Sequence, residues 1–365
     1  MSTTTSTTAK SAVFPEENDK GTGSEISEFT TQCSSCHATV DSRKFANLNR
    51  YNLKPGEYMF DFEGSTASKQ SLASFIHRLC ASNVYRMFFA YTQVLQHDDH
   101  RCCTTYDKFA QFNRFSDIPC IEESRVHVKH PTGDHDYIHA NWVDGYRERK
   151  KFIITQAPLP QTIDQFWKMV WQEKSLIVVS MIQTVDVPGA EATCEGSERR
   201  LLHFCFFAWG HRATPKKPTE ILNFISDFNY NRDLLTKEAV AAQVLKQNEK
   251  SPIVLHCLAG TSRSATIAAL DISFKKLDDT ATRPCGAMLD VDDVVQRLRT
   301  QRAMAVQKPE QYLFLHLAVL EYAVRQRYIS DQTYNEMDLD NYFYDPKRAQ
   351  SRDGSSVPSS PQKRE

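Results

Sequence analysis

A single α/β domain between residues 70 and 327 is the fold class this sequence predicts, and three observations predict it. Short apolar runs of strand length alternate with segments of helical period along that stretch. Hydrophobic residues are 41% and charged residues 24% of the 365, the balance of a chain that buries a core. The flanks lack a sustained period: residues 1–69 form a Ser/Thr-rich arm and residues 345–365 a Ser/Pro/Arg-rich tail, both expected to be largely disordered.

Within the domain, Leu72, Phe75, Ile76, Leu79, Tyr85, Phe88 and Phe89 recur at helical spacing, so the stretch from Gln70 to Leu95 is expected to cover one face of the core. After a loop carrying Arg101 to Pro119, residues 125–128 and 137–143 alternate as strands do across a Pro-Thr-Gly-Asp turn, which predicts antiparallel neighbours. A helix should begin near Thr162 with Phe166, Met169 and Val170 on its inner face, followed by a buried strand from Leu176 to Met181. Leu201 to Phe207 reads as a strand and Thr219 to Tyr230 as a helix. Ile253-Val254-Leu255 is a short strand ending at His256-Cys257, and Ser264 to Leu277 is helical. Val291 to Arg299 and Gln311 to Arg325 complete the domain as amphipathic helices.

Composition narrows the function. Lys and Arg total 44 against 45 Asp and Glu, so the chain has no basic excess for nucleic acid or acidic membranes. No apolar run reaches the ~18 residues of a membrane span, and the start Met-Ser-Thr-Thr-Thr has no signal-peptide character. A cytoplasmic location is therefore expected, with the ten cysteines reduced. Cys33-Ser-Ser-Cys36-His37 has the spacing of half a metal or haem site but no second pair nearby, so it reads as free thiols in the arm. Nothing in the sequence speaks to oligomeric state.

The chemistry concentrates in His256-Cys257-Leu258-Ala259-Gly260-Thr261-Ser262-Arg263-Ser264, where five residues separate a Cys from an Arg between a strand end and a helix start. A loop in that position can turn its backbone N–H groups onto a tetrahedral oxyanion, and the helix behind adds the positive end of its dipole. The same field favours the thiolate at Cys257, the form that attacks. Arg263 can fork onto two phosphoryl oxygens, and the Ser264 hydroxyl is placed to hydrogen-bond the sulfur as it leaves.

Four further segments accompany the loop. They are Asp136-Tyr137-Ile138-His139-Ala140-Asn141, the stretch from Gln156-Ala157-Pro158-Leu159 through Asp164 to Trp171, Asn113-Arg114-Phe115-Ser116-Asp117-Ile118-Pro119, and Val306-Gln307-Lys308-Pro309-Glu310-Gln311-Tyr312. With them the chain resembles the protein tyrosine phosphatase superfamily over roughly Lys108 to Val324. The resemblance implies a phosphatase-type domain with a central twisted mixed sheet flanked by helices, working without metal or cofactor on phosphotyrosine-containing proteins. It makes Cys257 the nucleophile of a phosphocysteine intermediate, Arg263 the phosphoryl ligand, Gln307 the residue that positions the hydrolytic water, and Gln311 an accessory. Leu258, Ala259, Gly260, Thr261 and Ser262 would line the phosphate, and Phe115 would stack on the phosphotyrosine ring.

The sequence also departs from that family. Where the family carries the Asp of a Trp-Pro-Asp loop as general acid, this chain reads Trp209-Gly210-His211. An imidazolium at His211 is a competent substitute if it reaches the leaving oxygen. Asp227, 30 residues before Cys257, falls within the helical pattern and reads as a solvated face. Met181 to Trp209 is only 28 positions, tens fewer than usual, so either the sheet lacks a hairpin or the coding sequence lacks a segment. The phosphate loop is spelled like the dual-specificity branch, with Ser262 at the second glycine position, which strains the chain if that position needs φ > 0. Asn113 to Pro119 is similar to the family's phosphotyrosine recognition loop, and Cys102 and Cys103 beside it read as ordinary loop or core thiols, with redox sensing as the alternative. Two functions stand on this reading: a phosphotyrosine phosphatase of reduced efficiency, and a catalytically dead pseudophosphatase that holds phosphotyrosine proteins.

Overall fold

Among the described residues there are six strands: β1 (Arg125–His127), β2 (Tyr137–Gly145), β3 (Glu148–Gln156), β4 (Ile177–Ser180), β5 (Leu202–Cys205) and β6 (Ile253–Cys257). They form one sheet in the order β1-β2-β3-β6-β4-β5. The first three pair antiparallel, and β3, β6, β4 and β5 run parallel, so the sheet is mixed. The computed structural model describes residues 53–54, 56–61, 70–95, 103–129, 135–182, 199–210, 214–215, 217–330 and 332–333. The Cys33-Cys36-His37 cluster, Cys102, His211 and the 345–365 tail lie outside them.

Eight α-helices accompany the sheet among the described residues: α1 (Leu72–Cys80), α2 (Val84–Leu95), α3 (Thr104–Lys108), α4 (Ile163–Gln172), α5 (Thr219–Ala241), α6 (Arg263–Ala281), α7 (Val291–Gln301) and α8 (Pro309–Arg325). Strand alternation divides them into layers. Phe152, Ile154, Ile177, Val179, Ile253 and Leu255 face one large core shared with α1, α2 and α5 to α8. Ile153, Val178 and Val254 face the opposite side, where α4 covers them with Phe166, Met169 and Val170. The central strand β6 is buried at all five residues, which is why it reads as an unbroken apolar run rather than an alternating one.

Three elements differ from the sequence expectation. The stretch from Gln70 to Leu95 is two helices, because the Asn83 side chain accepts from the Arg86 N–H at 2.9 Å and starts α2 afresh. Restarting shifts the helical phase, so Val84, Met87, Tyr91 and Val94 are buried while Tyr85 and Phe89 face out. Second, β3 went unread because its first half is charged. Lys151, within it, is buried only because its ammonium meets Asp271 of α6 at 2.6 Å. Third, α5 continues beyond Tyr230 to Ala241, where Leu235 and Ala239 prolong its buried face. Ahead of α1, part of the expected arm rests on the domain: Phe60 is buried, and the Met59 carbonyl accepts from Arg297 at 2.9 Å.

Candidate active site

Cys257 is the last residue of β6 and Arg263 the first of α6, so the five residues between them turn at the carboxyl end of the central strand. In parallel sheets that edge is where ligands bind. The 19-residue α6 points its N-terminus at the loop, placing unpaired N–H groups and positive dipole there. Gly260 has φ +73°, and a Cβ there would meet the Thr155 carbonyl oxygen at 2.4 Å, so only glycine fits. Ser262 has φ −95° and carries no left-handed strain. The dual-specificity spelling is thus conformationally compatible with this loop.

The Cys257 thiol is 1% exposed, with Sγ 3.3 Å from the Ser264 hydroxyl and accepting the Gly260 N–H at 3.2 Å. Burial alone pushes this thiol up. The Ser264 hydroxyl and N–H, the Arg263 charge and the Gly260 N–H outweigh it and hold the thiol below its ordinary value. The other buried thiol behaves in the opposite way: Cys120 is pushed up to about 11, burial outweighing the Arg302 and Arg125 charges. Partial burial likewise raises Cys80 and Cys205.

Arg263 is buried beside the loop and donates through Nη1 to the Trp209 carbonyl at 3.1 Å. Trp209 itself is buried and meets Phe314 of α8 edge-on at 5.3 Å between centroids. The stretch from β5 to Trp209 is therefore anchored to the Cys257–Arg263 loop. Among the described residues no carboxylate pairs with Arg263. Among the described residues, strand β5, which leads into Trp209, pairs only with β4 and is the last strand of the sheet. Asp227 sits on the exposed face of α5, its carbonyl accepting from Asn231.

Arg302 was missed at the sequence level. Fully buried, it donates through Nε to the Gly260 carbonyl at 3.1 Å and through Nη2 to the Ala259 carbonyl at 2.9 Å. In a planar trans peptide the C=O and N–H point opposite ways. Pulling those two carbonyls outward turns the N–H groups of Gly260 and Thr261 to the inner side, where Gly260 meets the sulfur. Arg302 is held in turn by Asn141 Oδ1 at 2.7 Å and by His139 Nδ1 at 3.3 Å. His139 is pushed down to about 3 by burial and the Arg302 charge, so it is neutral and accepts at Nδ1 while Nε2 donates to the Ile118 carbonyl.

The recognition loop is tied to the end of β3, whose Gln156 is register partner of Cys257. Arg114 donates its backbone N–H to Gln156 Oε1 at 2.9 Å and its guanidinium to the carbonyls of Ala157 and Pro158 at 3.1 and 2.9 Å. Tyr106 donates to the Phe115 carbonyl at 3.1 Å, and Phe115 is half-buried. Leu258 and Ala259 are half-buried, and the Leu258 carbonyl accepts from the Ala157 N–H at 3.0 Å. Gln307 approaches the loop through Thr261, whose hydroxyl donates to Gln307 Oε1 at 3.2 Å. Gln311 is buried with both amide atoms engaged, Nε2 donating to Ser262 Oγ at 2.8 Å and Oε1 accepting the Lys308 N–H at 3.3 Å. Among the described residues no group of three or more His, Cys, Asp or Glu is placed to hold a metal ion.

A family model described as Protein-tyrosine phosphatase matches residues 110–195 and 186–321. Human tyrosine-protein phosphatase non-receptor type 9 is 31% identical over 259 residues, covering 60% of this chain and 42% of that protein. The Lar-like tyrosine-protein phosphatase of Caenorhabditis elegans is 29% identical over 248 residues, covering 57% and 10%. The chain thus spans less than half the length of these curated relatives. A solved structure of PTPN18 in complex with HER2-pY1196 phosphor-peptides shares the fold, with TM-score 0.56 and 19% identity over 70% of this chain and 100% of that one.

Proposed function

Since the chain belongs to the protein-tyrosine phosphatase family, we propose that it hydrolyses phosphotyrosine on proteins through Cys257, with reduced efficiency. The observation that carries this reading is the lowered Cys257 thiol, held by Ser264, Gly260 and Arg263 in a loop whose N–H groups Arg302 turns inward. In the first step the Cys257 thiolate attacks phosphorus, the S–P bond forms, and the P–O bond to tyrosine breaks with one proton delivered to the leaving phenolate. In the second, water attacks phosphorus, the S–P bond breaks, and the thiolate returns to Ser264 and Gly260 while both water protons leave on the phosphate. Arg263 would neutralise the equatorial oxygens in both steps. The Leu258 to Ser262 loop would hold them by backbone N–H groups, and Phe115 would offer its ring to the substrate's.

The phenolate leaving group, with a pKa near ~10, needs a proton donor, and the position of the usual carboxylate is His211. Loss of a general acid costs about 10²–10⁴ in rate. Phosphate binding is untouched by that loss, and this favours a second reading, a pseudophosphatase that binds phosphotyrosine proteins without release. A series of aryl phosphates separates the two. A working enzyme without a carboxylate acid turns over steeply faster as the leaving phenol becomes more acidic, and His211→Ala slows the poor leaving groups most if the imidazolium is the donor. Binding without turnover across the whole series contradicts the enzyme reading. A cytoplasmic location with reduced cysteines belongs to the same proposal, in keeping with the non-receptor relative; no described helix is long and apolar enough to cross a membrane.

A further inference from the structure

Thr261 grips the glutamine segment at two atoms. Its carbonyl accepts the Val306 N–H at 2.8 Å and its hydroxyl donates to Gln307 Oε1 at 3.2 Å, while the residue itself is fully buried. Val306 is β-branched and sits at φ +56°, a strained conformation that persists only where surroundings over-determine it. They do so here, because the Tyr91 hydroxyl of α2 donates to the Val306 carbonyl at 2.8 Å. Both peptide groups flanking Val306 are therefore fixed, and Gln307 follows from a set backbone. Its side chain still has free torsions, and the Thr261 hydroxyl fixes the amide plane by occupying one lone pair of Oε1. The second lone pair stays available to orient a water. The neighbouring amide is placed differently: Gln311 is buried, with its amide turned to Ser262 and Lys308.

We propose that Thr261 is a positioning residue that acts through Gln307 to set the rate of phosphocysteine hydrolysis more than that of its formation. The inference rests on the phosphatase reading. Both Thr261 and Ser262 belong to the phosphate loop, so the loop that binds phosphate also aligns the amide that handles water.

The test uses the full chain and an aryl phosphate with an acidic leaving phenol. Steady-state turnover is divided by the level of phosphorylated Cys257, read by intact mass after acid quench, which yields the hydrolysis rate constant whichever step limits. Thr261→Val, isosteric without the hydroxyl, should lower that constant about three- to tenfold, as expected for one neutral hydrogen bond, and lower the formation rate of the phosphoenzyme by a smaller factor. Thr261→Ser should restore it, and in a Gln307→Ala background Thr261→Val should have no further effect. An unchanged hydrolysis constant, an equal fall in formation, or an additive double variant overturns the proposal. A wild-type chain that forms neither phosphoenzyme nor product overturns the phosphatase reading itself, an outcome visible before any Thr261 variant is made.

Discussion

Ser264 is the side chain that most directly sets the chemistry of Cys257. Its hydroxyl lies 3.3 Å from Sγ, and its contacts lead the influences that lower the thiol against the opposing effect of burial. Ser264→Ala should therefore move the inflection of Cys257 alkylation by iodoacetamide to higher pH; an unmoved inflection would show that Arg263 and the loop N–H groups suffice. The sign for stability follows. A thiol lowered on folding contributes fully above its unfolded value, and that contribution is lost as pH falls through the folded one. Cys257, Arg263 and Ser264 were legible in the sequence because their relation is local, a spacing within one loop. Arg302 was not, since nothing near it in sequence reveals that it reaches Ala259, Gly260 and Asn141, the last 161 positions away. Gln311 illustrates the converse. Its position was legible, but the commitment of its amide to Ser262 and Lys308 needs three dimensions.

At the scale of elements, the phosphate loop depends on one glycine and not on two. Gly260→Ala adds a Cβ at 2.4 Å from the Thr155 oxygen at positive φ, so it should displace β3 or the loop. The expected outcome is loss of phosphate binding and destabilisation by at least ~2 kcal/mol in urea unfolding. Ser262→Gly, at negative φ, meets no such clash; it should cost about 1–3 kcal/mol through the hydrogen bond lost to the buried Gln311 and leave phosphate binding in place. Loss of phosphate binding at both positions would contradict the loop geometry. The strand-loop-helix unit was readable because a short apolar strand, a glycine-bearing turn and a helix follow one another directly. The charged start of β3 hid that strand, since Lys151 enters the core only by pairing with Asp271 on a distant helix. The break before α2 was hidden for another reason: periodicity registers the apolar spacing but not the cap at Asn83 that resets its phase.

For the whole molecule, the mixed sheet sets the phosphate loop at the end of its central strand, the recognition loop at the end of β3 and the Trp209 segment at the end of β5. Arg263 links that last segment to the loop. The site converges because these parallel strands all end at the same edge. Arg263 links the loop around Cys257 to Trp209, and the sequence that follows, Gly210-His211, carries no carboxylate. Turnover by this cradle is read directly from phosphate release from a phosphotyrosine peptide at near-stoichiometric protein, with peptide binding recorded in the same samples and Cys257→Ser as control. A phosphatase gives slow release continuing beyond one equivalent and abolished in Cys257→Ser while peptide binding persists. Binding with no release, or a single burst that stops at one equivalent, would rule out turnover.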